Sequence, residues 1–172
     1  YNFGEVGQNQ TDNLVSGYTY AGAVVPHMEF VNNSKAVAFA DNRLMFYEGD
    51  EKPTSMGEVL IQDEIYGVYS GEDYVALVHN NTEGEERYRI DIYNDKGKCI
   101  DSVCFDEEYT DILFDDNRII VYGATECLIH KVGGIDKFRG TFEGGVLAVI
   151  PTDVSTRFVL VSNNAIETIE LK

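Results

Sequence analysis

The chain has 172 residues, 44% of them apolar, and a net charge of −17 from thirty acidic against thirteen basic side chains. That length suits one domain or part of a larger one, and apolar residues run through every segment, which excludes a disordered chain. The acidic balance argues against nucleic acid, since no positive stripe is available for phosphates, and no run approaches the ~18 apolar residues of a membrane-spanning helix.

Residues 1–14, with Gly4, Gly7 and the polar run Gln8–Asn13, read as an extended arm or loop. Residues 15–172 read as strands separated by turn clusters. A candidate strand over Val15–Ala21 precedes the first of four repeated units, which begin near His27, Ile65, Tyr109 and Val146, at intervals of 38, 44 and 37 residues. In the first unit the expected strands are His27–Val31, Ala36–Phe39, Leu44–Tyr47 and Gly57–Gln62, divided by Asn32-Asn33-Ser34, Asp41-Asn42 and a loop holding Gly49 and Pro53. The wholly apolar Ala36–Phe39 predicts a strand buried on both faces.

The second unit predicts strands at Ile65–Tyr69, Tyr74–Val78, Tyr88–Tyr93 and Cys99–Phe105, with a polar loop over Asn80–Glu86 that lengthens the interval. Strict alternation in Tyr88–Tyr93 predicts a half-exposed strand. Asn94-Asp95-Lys96-Gly97 is a hairpin turn whose glycine can take positive φ. The third unit predicts Thr110–Phe114, Arg118–Tyr122, Cys127–Val132 and Lys137–Phe142. The fourth has three strands, Val146–Ile150, Arg157–Val161 and Ala165–Leu171, and lacks an outer one.

A period near 40 built only from short strands is the signature of a β-propeller with one four-stranded blade per repeat. The expected fold is therefore all-β: about four antiparallel blades, forming either a closed four-bladed ring or part of a seven- or eight-bladed one. In the closed form Val15–Ala21 supplies the missing outer strand of the fourth blade and removes its open edge. A pairing of two copies into eight blades is the remaining alternative.

Chemistry is sparse. His27, His79 and His130 share no metal-ligand spacing and read as surface or capping residues. Asp101, Asp106, Glu107, Glu108, Asp111, Asp115 and Asp116 crowd into sixteen residues, but their spacing is not that of a calcium loop, and they read as solvated turns. Cys99 and Cys104 on one strand would lie ~16 Å apart, too far to bridge. With Cys127 they read as buried or half-buried packing residues. No nucleophile elbow and no phosphate-cradling glycine loop occur. Asn9-Gln10-Thr11, Asn32-Asn33-Ser34 and Asn80-Asn81-Thr82 match the glycosylation triplet but matter only in a eukaryotic secretory setting.

The tyrosines carry the one functional hint. Tyr66, Tyr69, Tyr74, Tyr88, Tyr93, Tyr109 and Tyr122 fall mostly at strand ends, where they serve either a recognition rim or packing between blades.

Over residues 15–172 the repeat resembles the broad WD40-like and quinoprotein-like propeller group. It lacks the Trp-Asp and Gly-His dipeptides, since Trp is absent, and neither Gly133-Gly134 nor Gly144-Gly145 reproduces the kelch pattern. It looks like a degenerate bacterial propeller of unassigned role, and that resemblance implies no catalytic residue, cofactor or metal.

The expected function is a non-catalytic recognition or scaffold module with a protein or glycan partner. It is expected in the extracytoplasmic part of a secreted or membrane-anchored bacterial protein. The chain begins at Tyr1 rather than Met, which leaves a cleaved leader and an excised piece as alternatives. The competing reading is a fragment of a propeller enzyme, glycan-processing or quinoprotein in type, with an axial site.

Overall fold

The computed structural model describes residues 17–49 and 52–171. Fifteen strands form four antiparallel sheets, and the described residues contain no helix. Blade 1 holds β1 (His27–Asn32), β2 (Lys35–Ala40), β3 (Arg43–Glu48) and β4 (Thr54–Leu60). Blade 2 holds β5 (Ile65–Ser70), β6 (Tyr74–Asn80), β7 (Tyr88–Asn94) and β8 (Cys99–Phe105). Blade 3 holds β9 (Tyr109–Asp115), β10 (Arg118–Gly123), β11 (Glu126–Lys131) and β12 (Asp136–Thr141). Blade 4 has three strands, β13 (Ala148–Pro151), β14 (Arg157–Val161) and β15 (Ile166–Glu170). Within every blade the strands pair in sequence order. This is the expected propeller architecture.

The core lies between blades. Val37, Phe39, Leu44 and Phe46 of blade 1 cluster with Val75, Leu77 and Tyr93 of blade 2. Ile90, Val103 and Phe105 of blade 2 cluster with Ile112, Ile119 and Val121 of blade 3. Ile120, Cys127 and Ile129 of blade 3 cluster with Val149, Phe158 and Leu160 of blade 4. Because side chains alternate across a strand, a strand serving two junctions must be apolar at consecutive positions. β10 is: all of Arg118–Gly123 is buried.

No described cluster joins blade 4 to blade 1, so the four sheets form an open arc rather than a closed four-bladed ring. The N-terminal candidate strand does not reach blade 4 in its described part. Its described part, from Gly17, forms no strand and runs against blade 1. There the Tyr20 and Tyr47 hydroxyls lie 2.5 Å apart, and Val24 exchanges backbone and side-chain hydrogen bonds with Asp41. Val15 and the arm over 1–14 lie outside the described residues. The outward faces of both end blades therefore carry exposed apolar side chains, Met28 (58%) and Phe30 (79%) on blade 1, Ile150 (48%) and Ile166 (76%) on blade 4.

Two further expectations change. The last strand of blade 1 starts three residues earlier than expected, at Thr54, and β7 is almost wholly buried rather than half exposed. Asp91 is polar in the sequence yet only 8% exposed, because its charge is met inside the blade.

Tight turns seat the junctions. Gly97, at φ 75°, closes the β7–β8 hairpin, and a Cβ there would sit 2.8 Å from the Phe46 ring of blade 1. Asp95 of the same turn accepts a 2.5 Å bond from Lys35 Nζ of blade 1. A contrast isolates the contact from the backbone effect. Gly133, at φ 70°, has open space around it, so Gly133→Ala should cost ~1 kcal/mol of left-handed strain. Gly97→Ala should cost ~1–3 kcal/mol more by overpacking the junction. Urea unfolding of the two variants measures the difference.

Candidate functional site

A cavity of about 370 Å³ opens at the mouth between blades 1 and 2. Its walls come from the start of β1, the end of β2, the link at Asp63 and Glu64, and the start of β5. The turn after β2 is held by the backbone bond from Asp41 N to Val24 O at 3.0 Å, which brings Pro26 and His27 over the opening. Phe39, 2% exposed, is the floor, and the His27 ring lies 5.4 Å from it. Pairing of β5 slips between Ile65 and Gly67. Such a bulge re-aims a side chain, and here it leaves Tyr66 half exposed (49%) beside the opening, edge-on to Tyr88 at 5.8 Å. The lining contains Asp41, Asp63 and Glu64 and no lysine or arginine.

The expectation that the histidines are surface or capping residues fails for two of them. His79 and His130 are 6% and 7% exposed. His79 Nε2 lies 2.8 Å from Asp91 Oδ2, and its Nδ1 lies 3.0 Å from the Asn80 carbonyl. Asp91 Oδ1 also accepts the Ser102 hydroxyl at 2.5 Å and Arg89 Nε at 2.8 Å. Burial pushes the Asp91 carboxyl up, but the bonds from Ser102, His79 and Arg89 outweigh it and hold the group below its ordinary range. His130 joins two blades: Nε2 lies 2.8 Å from Asp101 on β8, Nδ1 lies 2.7 Å from Asp136 on β12. Asp101 also accepts the Gly133 backbone N–H at 2.6 Å. His27 alone stays at the surface, half exposed.

The other candidate groups fall into structural roles. Of the seven clustered carboxylates, Asp101, Glu107, Glu108 and Asp115 pair with His130, Arg139, Arg87 and Arg118, so they are not simply solvated turns. Asp106 accepts the Arg87 backbone N–H at 2.7 Å. No group of three ligand-type side chains suited to a metal ion occurs among the described residues. All three cysteines are free; Cys127 is buried, its thiol pushed up to about 12 by desolvation, whereas Cys99 is exposed, against expectation. Tyr88, Tyr93 and Tyr122 are buried between blades, and burial pushes the Tyr93 hydroxyl up to about 12. Of the seven rim candidates, Tyr66 is the one with an exposed ring.

Four blades of this order and pairing define the chain as a β-propeller segment, and solved structures carry the same architecture. It superimposes on Kluyveromyces lactis Hsv2 at TM-score 0.53 and 18% identity, over 87% of this chain and 46% of that one. A BBS1N–ARL6DN complex matches at TM-score 0.58 and 8% identity, over 88% and 53%. A eukaryotic initiation factor matches at TM-score 0.62 and 8% identity, over 90% and 42%. The chain thus spans about half the length of these propellers, and at such identities the likeness shows the fold alone. No curated protein matches in sequence. Residues 1–171 match the model of a family of unknown function, DUF5711, and the chain belongs to that family.

The buried carboxylate sets a pH limit. Because the folded Asp91 carboxyl ionises below its ordinary value of 3.8, its contribution is present above that value and is lost as pH falls through the lowered one. Asp91→Asn should therefore lower stability at pH 7 by ~1–3 kcal/mol. It should also flatten the fall in stability below about pH 4, relative to wild type. Chemical denaturation across pH 2.5–7 checks both.

Proposed function

We propose that the chain is a non-catalytic recognition module that binds a protein partner at the mouth between blades 1 and 2. The observation that carries this reading is the cavity itself. It is concave, lined by Phe39, Ile65 and Val68, with the His27 ring 5.4 Å from Phe39. The half-exposed imidazole above an apolar floor offers contact area at low entropy cost. His79 pairs with Asp91, and its Nδ1 lies 3.7 Å from Asp63 of the cavity lining, while His130 is engaged by Asp101 and Asp136. Fold likeness to BBS1N, solved in complex with ARL6DN, supports a protein as the class of partner. The reading extends to a bacterial, extracytoplasmic setting, secreted or membrane-anchored, which fractionation of cells carrying the tagged chain checks.

Selection of a displayed random peptide library on the wild type and on His27→Ala tests the function. Sequences enriched on the wild type and lost on the variant are expected, with a glycan array silent. Turnover of any glycoside, abolished by neutralising carboxylates on the inner strands, would establish the enzyme reading instead.

A further inference from the structure

We infer that the free faces of blades 1 and 4 dock a second copy of this chain, and that two copies close an eight-bladed ring. Strand pairing shows which side chains each face presents, because residues directly opposite one another share a face. On blade 1, Val37 and Phe39 pack toward blade 2. Ala36 and Ala38 alternate with them and point away, as do their partners Phe30, Met28, Tyr47 and Met45. On blade 4, Val149, Phe158 and Leu160 pack toward blade 3. Ala148, Ile150, Val159, Val161 and Ile166 share the opposite face. The middle of each face is thus uncharged. At each margin an arginine is already paired with a glutamate, Arg43 with Glu58 at 3.0 Å and Arg157 with Glu170 at 3.9 Å. Phe30 (79%) and Ile166 (76%) are the two most exposed large apolar side chains among the described residues, and one stands at each end of the arc. Tyr18 and Tyr20 cover Tyr47 on the blade 1 face and leave Met28 and Phe30 open.

Every interior junction joins the far face of one blade to the near face of the next. The two free faces are one of each kind, so together they are the two halves of a junction. They lie at opposite ends of the arc, and no described cluster brings them together within one chain. The chain spans about half the length of the solved propellers whose fold it shares, so the unfilled part of a ring has about the size of the chain itself. A second copy related by a two-fold axis fits that space and makes the same contact twice. A face of three or four strands, ~4.8 Å apart and ~17 Å long, has a flat footprint of roughly 300 Å². Two contacts cover four such faces, about 1,200 Å², which reaches the range of stable interfaces. The contact stacks faces and leaves the strand edges unpaired. It goes beyond the recognition reading, since Met28, Phe30, Ile150 and Ile166 do not line the blade 1–2 cavity.

Sedimentation equilibrium of the 172-residue chain tests the inference. The expected mass is twice that of one chain. Phe30→Asp and Ile166→Asp should each raise the dissociation constant at least about tenfold, since each puts a carboxylate into both contacts. Mixing the two variants should recover a dimer of intermediate affinity, because one of the two contacts then joins unaltered faces. Ile135→Asp, at an exposed apolar position before β12, should stay within about twofold of the wild type. Circular dichroism checks that each variant folds, and Phe30→Ser and Ile166→Ser serve where the aspartate variants do not.

A wild-type chain that stays monomeric would overturn the inference, as would a dimer that survives both substitutions. A dimer weakened by one substitution and untouched by the other would replace it with like face against like face. Open assemblies of growing mass would overturn the closed ring.

Discussion

The structure depends on one constraint: an interior sheet must bury both of its faces. A propeller meets it by placing each sheet between two others, so most of the hydrophobic stabilisation resides at junctions rather than inside blades. The arc shows the consequence at each level. Ile119 and Val121 of β10 face blade 2, while Ile120 and Tyr122 of the same strand face blade 4. The polar devices follow the same seams. Lys35 reaches Asp95 across the first junction, His130 reaches Asp101 across the second, and Arg118 stacks on Phe158 across the third. Where the series stops, at the far faces of blades 1 and 4, Phe30 and Ile166 stand exposed.

The candidate site is a by-product of that stacking. Two blades meeting at an angle leave a wedge at their mouth, and its lining is whatever the turn after β2 and the link between blades supply. Here those short segments contribute three carboxylates, while the strands contribute the apolar floor. The bulge in β5 adds the tyrosine. Phe39, Ile65 and Val68 therefore belong at once to the cavity's lining and to the blade 1–2 junction.

Much of the architecture was legible because buried strands carry a local signal. Ala36–Phe39, Tyr74–Val78 and, after Arg118, Ile119–Tyr122 are apolar at consecutive positions, and the expected strand bounds agree with the structure to within two residues. β4 was placed too late because an outer strand, exposed at nearly every position, has little pattern to read. The polar core was illegible for another reason. His79 meets Asp91 twelve residues away on the next strand, and His130 meets Asp101 twenty-nine residues back on another blade. Those partnerships depend on register and blade stacking, which no local spacing encodes. Alternation in Tyr88–Tyr93 misled for the same cause, since Asp91 is polar but inward. The cavity was equally hidden: His27, Asp41, Asp63 and Tyr66 come from separate turns and strand ends, and only Tyr66 carried a hint, as one of seven tyrosines of which most proved to be packing.

The charge of the chain takes on a mechanical meaning once the outer strands are seen together. Among the described residues each blade ends in a strand whose outer backbone edge is unpaired, and such edges invite other chains to add on. Glu58 lies on β4, Asp101 on β8, Asp136 on β12, and Glu167 and Glu170 on β15. Asp101 and Asp136 are held by His130 and Glu58 by Arg43, and Lys137 and Arg139 offset the charge on β12, so the exposed pair Glu167 and Glu170 makes β15 the acidic edge. The charged edge of blade 4 thus acts as a bumper, discouraging another chain from adding a strand there.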